Sequence, residues 1–153
     1  MTVRTLVVLL ATVCGAGYAP VASGTVGSLV ALPLLPLLAG LRAQSVASYG
    51  LVVMALLIVA VWSAGRAEEI FGGHDHSRIV IDEVAGMVVA GAFLPGTWLA
   101  AGIAFVVFRV FDVLKPFPAN VLDRRPGGIG VVGDDVVAGA YAGLVSALIL
   151  RVI

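Results

Sequence analysis

Cysteine and charge are both scarce in this chain of 153 residues, and each scarcity excludes a class of protein. The only cysteine, Cys14, excludes an internal disulfide bond and a cysteine-based zinc site. Charged residues make up 12% of the sequence, against ~25% in an average soluble domain. They balance to a net charge of zero, so nothing indicates binding to nucleic acid. Apolar residues reach 61% and the mean hydropathy is +1.13, which is typical of a membrane protein.

Apolar runs interrupted by proline, glycine and charge predict an all-α protein of about six helices in a single domain, residues 1–153. We expect helices near residues 2–14, 29–38, 46–69, 83–93, 97–114 and 134–150, with a short β-like run at 79–81. Pro33 and Pro36 make the second helix short or kinked. The fourth helix would extend only ~17 Å, about half of a ~30 Å hydrocarbon layer. These lengths predict a compact bundle embedded in the membrane around one long helix, rather than six full spans.

If the helices alternate in direction, three loops meet at one face of the layer, at residues 15–28, 70–82 and 115–134. All nine acidic residues lie on this face or beside it, together with six of the nine basic residues. The other basic residues, Arg4, Arg42 and Arg151, are placed on the opposite face. Because lysine and arginine accumulate in cytoplasmic loops, we predict that the charged face is cytoplasmic. The apolar run after Arg4 could mimic a signal peptide, but we expect it to be retained, because residues of the charged face follow it directly.

Two acidic pairs, Asp82-Glu83 and Asp134-Asp135, each precede an apolar run. One interpretation is helix N-capping, since carboxylates accept hydrogen bonds from the free N–H groups at a helix start. The other is metal binding, because adjacent carboxylates near apolar surface repel one another and a divalent cation removes that repulsion. Mg²⁺ binds to one or two carboxylates together with waters and substrate phosphate. With two such pairs on one face, the sequence favours a magnesium site.

Arg109, Asp112 and Lys115 lie three residues apart along one predicted helix face. This spacing fits a local chain of ion pairs at the helix C-terminus, where cations are stabilised. It also fits an active site in which Asp112 joins the metal ligands while Arg109 and Lys115 hold a phosphate. The residues alone leave both interpretations open.

Two loops add candidate residues of lower specificity. Ser23, Gly24 and Thr25 belong to S-G-T-V-G-S, which can present backbone N–H groups to an anion or, equally, allow close helix packing. His74 and Asp75 lie close to Asp82 in sequence and are candidates for proton transfer, although solvated loop histidines are as common.

Four sequence blocks together resemble the phosphatidylglycerophosphatase A family. They are A-P-V-A-S-G-T-V-G-S, H-D-H-S-R-I-V-I-D-E-V-A-G-M, F-R-V-F-D-V-L-K-P-F-P and G-G-I-G-V-V-G-D-D-V-V-A-G-A, and they cover most of residues 15–142. The resemblance implies an all-helical bundle with one central helix surrounded by others. It also implies a bacterial inner-membrane, magnesium-dependent lipid phosphatase that converts phosphatidylglycerophosphate to phosphatidylglycerol and phosphate. Ser23 departs from the family pattern, which commonly has proline there, and this puts the shape of the first loop in doubt.

The resulting hypothesis assigns roles to the charged residues. The metal ligands would be Asp82, Glu83, Asp134 and Asp135, with Asp112 as a further candidate. Arg109 and Lys115 would stabilise the transferring phosphoryl group, assisted by the Ser23–Thr25 segment. His74 or Asp75 would protonate the leaving oxygen.

Two other functions fit some of these features. A small ion or proton transporter would use intramembrane carboxylates, but it would distribute them in depth, whereas here they gather at one face. A CDP-alcohol phosphotransferase would carry a D-G-x2-A-R motif, which the chain lacks. The sequence leaves the oligomeric state open.

Overall fold

The computed structural model describes residues 2–153, and every regular element in this range is a helix, with no β-strand. The predicted all-α bundle is therefore confirmed. The run at 79–81, predicted as β-like, instead leads directly into a helix. In chain order the elements are α1 (Val3–Ala11), a 3₁₀ turn (Ala16–Tyr18), α2 (Ser23–Ala31), α3 (Leu34–Gln44), α4 (Val46–Phe71), α5 (Ile81–Gly91), α6 (Trp98–Leu114), α7 (Ala119–Leu122) and α8 (Gly128–Ile149).

Hydroxyl side chains define where three of the helices begin. Thr2, Ser45 and Thr97 precede α1, α4 and α6, and each side-chain oxygen accepts a hydrogen bond from a backbone N–H in the first turn. Such capping satisfies one of the N–H groups that lack a partner within the helix. At the other end of α4, Gly72 adopts a left-handed conformation (φ 77°) that stops the helix and turns the chain.

Three segments are long and apolar enough to cross a membrane, so the protein is an integral membrane protein. They are Ser23–Gln44, which comprises α2 and α3, then α4, and then α8. The second predicted helix is in fact this α2–α3 pair, which bends at Leu32 and Pro33 because proline cannot donate a backbone hydrogen bond. By contrast α5 has 11 residues, about 17 Å, and is too short to span the hydrocarbon layer.

The pair α5 and α8 forms the centre of the bundle, and most residues of α5 are buried. Glycine allows this close packing. A Cβ atom on Gly139 would overlap the backbone carbonyl of Gly86, and one on Gly86 would lie 2.7 Å from the carbonyl oxygen of Asp135. Because helix association in membranes depends on small residues at the contact, these glycines set how closely α5 and α8 approach.

The last helix begins at Gly128, six residues before the predicted start at Asp134. The glycine-rich segment predicted as a loop is instead the packed first turn of α8. A Cβ atom on Gly128 would overlap the carbonyl oxygen of Val61 in α4, and one on Gly130 would overlap that of Arg125. Asp134 and Asp135 therefore lie in the second turn of α8, and the N-capping interpretation of this pair is wrong.

The predicted distribution of charge between two ends of the bundle holds for Arg42 but not for Arg4. Arg42 donates hydrogen bonds to the carbonyls of Ala92 and Leu94 at the α5–α6 turn, which is the end opposite the acidic loops. Arg4 lines a groove together with Arg66 and Glu69, beside the acidic end. The prediction fails for Arg4 because α1 has only nine residues, about 14 Å, and ends at Ala11 rather than Cys14, so Arg4 stays close to the acidic end.

Candidate active site

Glu68, near the end of α4, connects two loops to the bundle. Its Oε1 accepts hydrogen bonds from Nδ1 of His74 (2.6 Å) and from the backbone N–H of Asp75 (2.9 Å). Its Oε2 accepts one from the N–H of Gly127 (2.8 Å), which directly precedes α8. Nε2 of His74 donates to the carbonyl of Asp123 (2.6 Å). One carboxylate therefore fixes the loop after α4 relative to the start of α8.

Three carboxylates from α5 and α8 meet in the interior of the acidic end. Asp82, Glu83 and Asp135 each place an oxygen within 4.8 Å of the others. Asp82 and Asp135 are buried, with 5% and 3% of their surface exposed. The close packing of α5 against α8 brings the second and third residues of α5 to the second turn of α8. The structure thus brings together three of the four carboxylates predicted as metal ligands.

Oxygen atoms in this cluster lack partners. Oδ1 of Asp82 and Oε2 of Glu83 are buried and accept no hydrogen bond from any residue in 2–153. A buried, unpaired carboxylate oxygen is costly, and three neighbouring carboxylates add mutual repulsion. A divalent cation would offset both the unpaired oxygens and the repulsion between the carboxylates, and an all-oxygen ligand set suits Mg²⁺. The residues present therefore fit the predicted metal ion.

Arg109 provides positive charge next to the cluster. Its Nη1 lies 2.6 Å from a carboxylate oxygen of Asp112 and 3.9 Å from one of Glu83, and it also contacts Ser28 (3.5 Å). Gly24 makes room for this arrangement, since a Cβ atom there would overlap Oε1 of Glu83 and lie 3.3 Å from the guanidinium. The Arg109–Asp112 contact is present, and it adjoins the three-carboxylate cluster.

The local chain of ion pairs, one of the two interpretations of this spacing, does not extend from Asp112 to Lys115. The helix α6 ends at Leu114, and Lys115 takes a left-handed conformation (φ 44°) that turns its side chain towards α8. Its ammonium lies 2.8 Å from Asp134 and also binds Asp123. Burial lowers the pKa of Lys115, but the hydrogen bonds that its ammonium donates to Asp123 and Asp134 outweigh this effect, so the pKa lies above its usual value. Asp134 therefore has a cation for a partner and stands outside the three-carboxylate cluster.

The two residues predicted as proton donors have different surroundings. Both ring nitrogens of His74 face acceptors, and the Asp123 carbonyl together with Glu68 raises the pKa of the imidazole. Both N–H groups are thus engaged by protein. Burial raises the pKa of Asp75, partly offset by the charge of Lys115. A raised pKa favours the protonated carboxyl that a proton donor requires.

The segment Ser23–Thr25 forms the first turn of α2, although it was predicted as a loop. Oγ of Ser23 donates to the carbonyl of Ser77 (2.6 Å), which attaches α2 to the loop before α5. Gly24 lies against Glu83, and Thr25 lines a groove together with Arg109. All three residues therefore lie around the charged cluster, and Ser23 has a hydrogen-bond partner within the protein.

Sequence comparison now adds to this geometry. Residues 9–150 match the sequence model of phosphatidylglycerophosphatase A. The chain belongs to the phosphatidylglycerophosphatase A family. It is 41% identical over 138 residues to phosphatidylglycerophosphatase A of Escherichia coli, covering 88% of this chain and 77% of that protein. It is 36% identical over 140 residues to the Haemophilus influenzae protein of the same name, covering 90% and 84%.

A third relative is named for a different activity. The chain is 35% identical over 144 residues to a putative phosphatidylinositol-3-phosphatase of Bacteroides thetaiotaomicron, covering 90% of this chain and 89% of that protein. No solved protein structure gives a significant match. Membership of the phosphatidylglycerophosphatase A family makes the chain a phosphatase, a phosphoric monoester hydrolase, and confirms the resemblance inferred from the four blocks.

The sequence interpretation assigned no role to Glu68, Ser28 or Asp123. Glu68 lies at the polar end of a long helix, where a solvated charge is the ordinary expectation. Its side chain is only 12% exposed, and it accepts three hydrogen bonds, which no motif indicates. Asp123 lies between the third and fourth sequence blocks, so only its contacts with Lys115 and His74 identify it as part of the site.

Proposed function

We propose that this protein hydrolyses phosphatidylglycerophosphate to phosphatidylglycerol and phosphate, with Mg²⁺ held by Asp82, Glu83 and Asp135. The observation that carries the proposal is the buried carboxylate cluster with unpaired oxygens beside Arg109. An anionic phosphate needs cations in such a site, and a metal ion and a guanidinium provide them. The family membership supports the substrate.

The roles of the side chains follow from their contacts. Bound magnesium would neutralise phosphate charge and lower the pKa of a bound water. Arg109, held by Asp112, orients the phosphate oxygens on the α6 side of the cluster. Lys115 contributes its charge from the α8 side, where Asp134 and Asp123 hold its ammonium. The net hydrolysis breaks the bond between phosphorus and the glycerol oxygen and forms a bond between phosphorus and the oxygen of a water molecule. Asp75 donates a proton to the leaving glycerol oxygen and regains one from that water.

We place the site at the cytoplasmic face of a bacterial inner membrane. Seven basic residues lie at or beside the acidic end, and basic loops remain on the cytoplasmic side. They are Arg4, Arg66, Arg78, Arg109, Lys115, Arg124 and Arg125. The apolar helices then hold the protein in the leaflet that contains the lipid, while the headgroup reaches the carboxylates.

The deciding experiment measures phosphate release by the purified protein in detergent. Phosphatidylglycerophosphate and phosphatidylinositol 3-phosphate are compared, each with Mg²⁺ and with EDTA. We expect faster release from phosphatidylglycerophosphate, and no release in EDTA. Preference for the inositol lipid would refute the proposed substrate. Full activity in EDTA would refute the metal requirement.

A further inference from the structure

An apolar groove runs along the outer side of α6 and reaches the charged cluster. It has a volume of about 640 Å³, and we call it the α2–α6 groove. One polar residue, Thr25, comes from α2, and one charged residue, Arg109, comes from α6. The other lining residues are apolar and all belong to α6: Phe105, Val106, Val110, Val113 and Leu114.

Arg109 belongs both to this groove and to the carboxylate cluster. Its guanidinium lies 3.9 Å from Glu83 on the inner side, while the same residue lines the groove on the outer side. The lining part of α6, residues 105–114, covers about 14 Å along the helix axis. The side chains of Val106 and Val110 are 60% and 49% exposed. A single ligand can therefore contact apolar surface along α6 while its anionic group faces Arg109.

We propose that the α2–α6 groove binds an acyl chain of the lipid phosphate substrate. The inference rests on the proposed function and adds the part of the lipid that the carboxylates do not contact. Charge complementarity selects this occupant, because an anionic headgroup attached to a hydrocarbon chain matches a cation attached to an apolar groove. The groove positions the lipid so that its headgroup meets the cluster, and apolar contact along α6 contributes to substrate binding.

A second groove shows what apolar surface alone offers. It lies on α4, has a volume of about 380 Å³, and is lined by Leu57, Ile58, Val61 and Trp62. None of these four side chains carries a charge, so this α4 groove has nothing to select a phospholipid by its headgroup. Ile58 is 62% exposed, and a larger side chain there projects into membrane lipid. Ile58→Trp therefore provides a matched control for substitutions in the α2–α6 groove.

The test compares Val110→Trp with Ile58→Trp, using dioleoyl and dihexanoyl phosphatidylglycerophosphate in detergent. Tryptophan at 110 fills the α2–α6 groove. We expect kcat/KM for the dioleoyl lipid to fall about tenfold, mainly through a higher KM, because apolar pocket contacts discriminate at about this level. The dihexanoyl lipid has little chain to displace, so its kcat/KM should change less than about twofold. Ile58→Trp, outside this groove, should retain activity on both lipids.

Other outcomes overturn the proposal in distinguishable ways. Unchanged kinetics of Val110→Trp on the dioleoyl lipid would show that the groove does not hold the chain. An equal loss on both lipids would show that tryptophan disturbs Arg109 rather than an acyl chain. Equal losses in Ile58→Trp would indicate a general effect of added bulk. If the wild type releases no phosphate from either lipid, the proposed function itself fails, and the groove with it.

Discussion

The two acidic pairs look alike in the sequence, but the fold uses them differently. Asp82 and Glu83 lie in the first turn of α5, and both face the carboxylate cluster. Asp134 and Asp135 lie in the second turn of α8, where successive residues are about 100° apart around the helix axis. Asp135 therefore faces α5, while Asp134 faces Lys115. Adjacent carboxylates in a helix therefore need not have the same partner.

Asp135→Asn should have the largest effect, because it removes one of the three proposed metal ligands. We expect kcat to fall at least about 100-fold, and the Mg²⁺ concentration for half-maximal activity to rise. The measurement is phosphate release over a magnesium titration. A variant with normal activity and an unchanged magnesium requirement would exclude Asp135 as a ligand.

Asp134→Asn, the neighbouring variant, should behave differently because Asp134 acts through Lys115. We expect activity to fall about tenfold with no change in the magnesium requirement. In a double-mutant cycle, adding Asp134→Asn to Lys115→Met should cause little further loss, since the partner is already absent. If Asp134→Asn shifts the magnesium titration as Asp135→Asn does, then both members of the pair bind metal and the contrast between them fails.

Glu68→Gln tests whether the contacts at the end of α4 organise the acidic end. A glutamine has one acceptor oxygen, so it cannot receive His74, Asp75 and Gly127 together. We expect the free energy of unfolding to fall by about 1–2 kcal/mol, which would lower the thermal unfolding midpoint in detergent by about 3–6 °C.

The next residue supplies the control for this change. Glu69 pairs with Arg66 at 3.1 Å, and both side chains are more than half exposed. Glu69→Gln should change stability by less than about 0.5 kcal/mol. Equal destabilisation by the two variants would show that the three hydrogen bonds to Glu68 do not stabilise the fold.

The predicted starts near residues 46 and 97 agree with α4 and α6, which begin at Val46 and Trp98 after a capping hydroxyl. The predicted start of α8, which begins with glycine, is six residues too late. The start of α8 was placed at Asp134, because Gly128 and Gly130 resemble a loop when only chain flexibility is considered. Tertiary contacts explain why glycine occupies both positions, since each glycine packs against the backbone carbonyl of another segment.

The same limit applied to the site. The sequence identified the charged residues, but their pairing depends on helix direction and rotation, which spacing alone does not give. Lys115 illustrates this. Its three-residue spacing from Asp112 predicted a contact within α6, but the helix ends one residue earlier and the side chain turns to α8.

The smallest expected effect is a dependence of stability on pH at His74. Its folded-state pKa lies above the ordinary value of 6.5, because the Asp123 carbonyl and Glu68 favour the protonated ring. The stabilisation is therefore complete below the unfolded pKa and is lost as the pH rises through the folded pKa. His74→Gln should lower the free energy of unfolding near pH 6 but not at alkaline pH. The decrease should be less than about 1 kcal/mol, since the site is largely exposed. Introducing Glu68→Gln should reduce this pH dependence, because it removes the negative charge that favours the protonated ring. A pH-independent difference between wild type and His74→Gln would mean that the ring stabilises the loop by packing rather than by its charge.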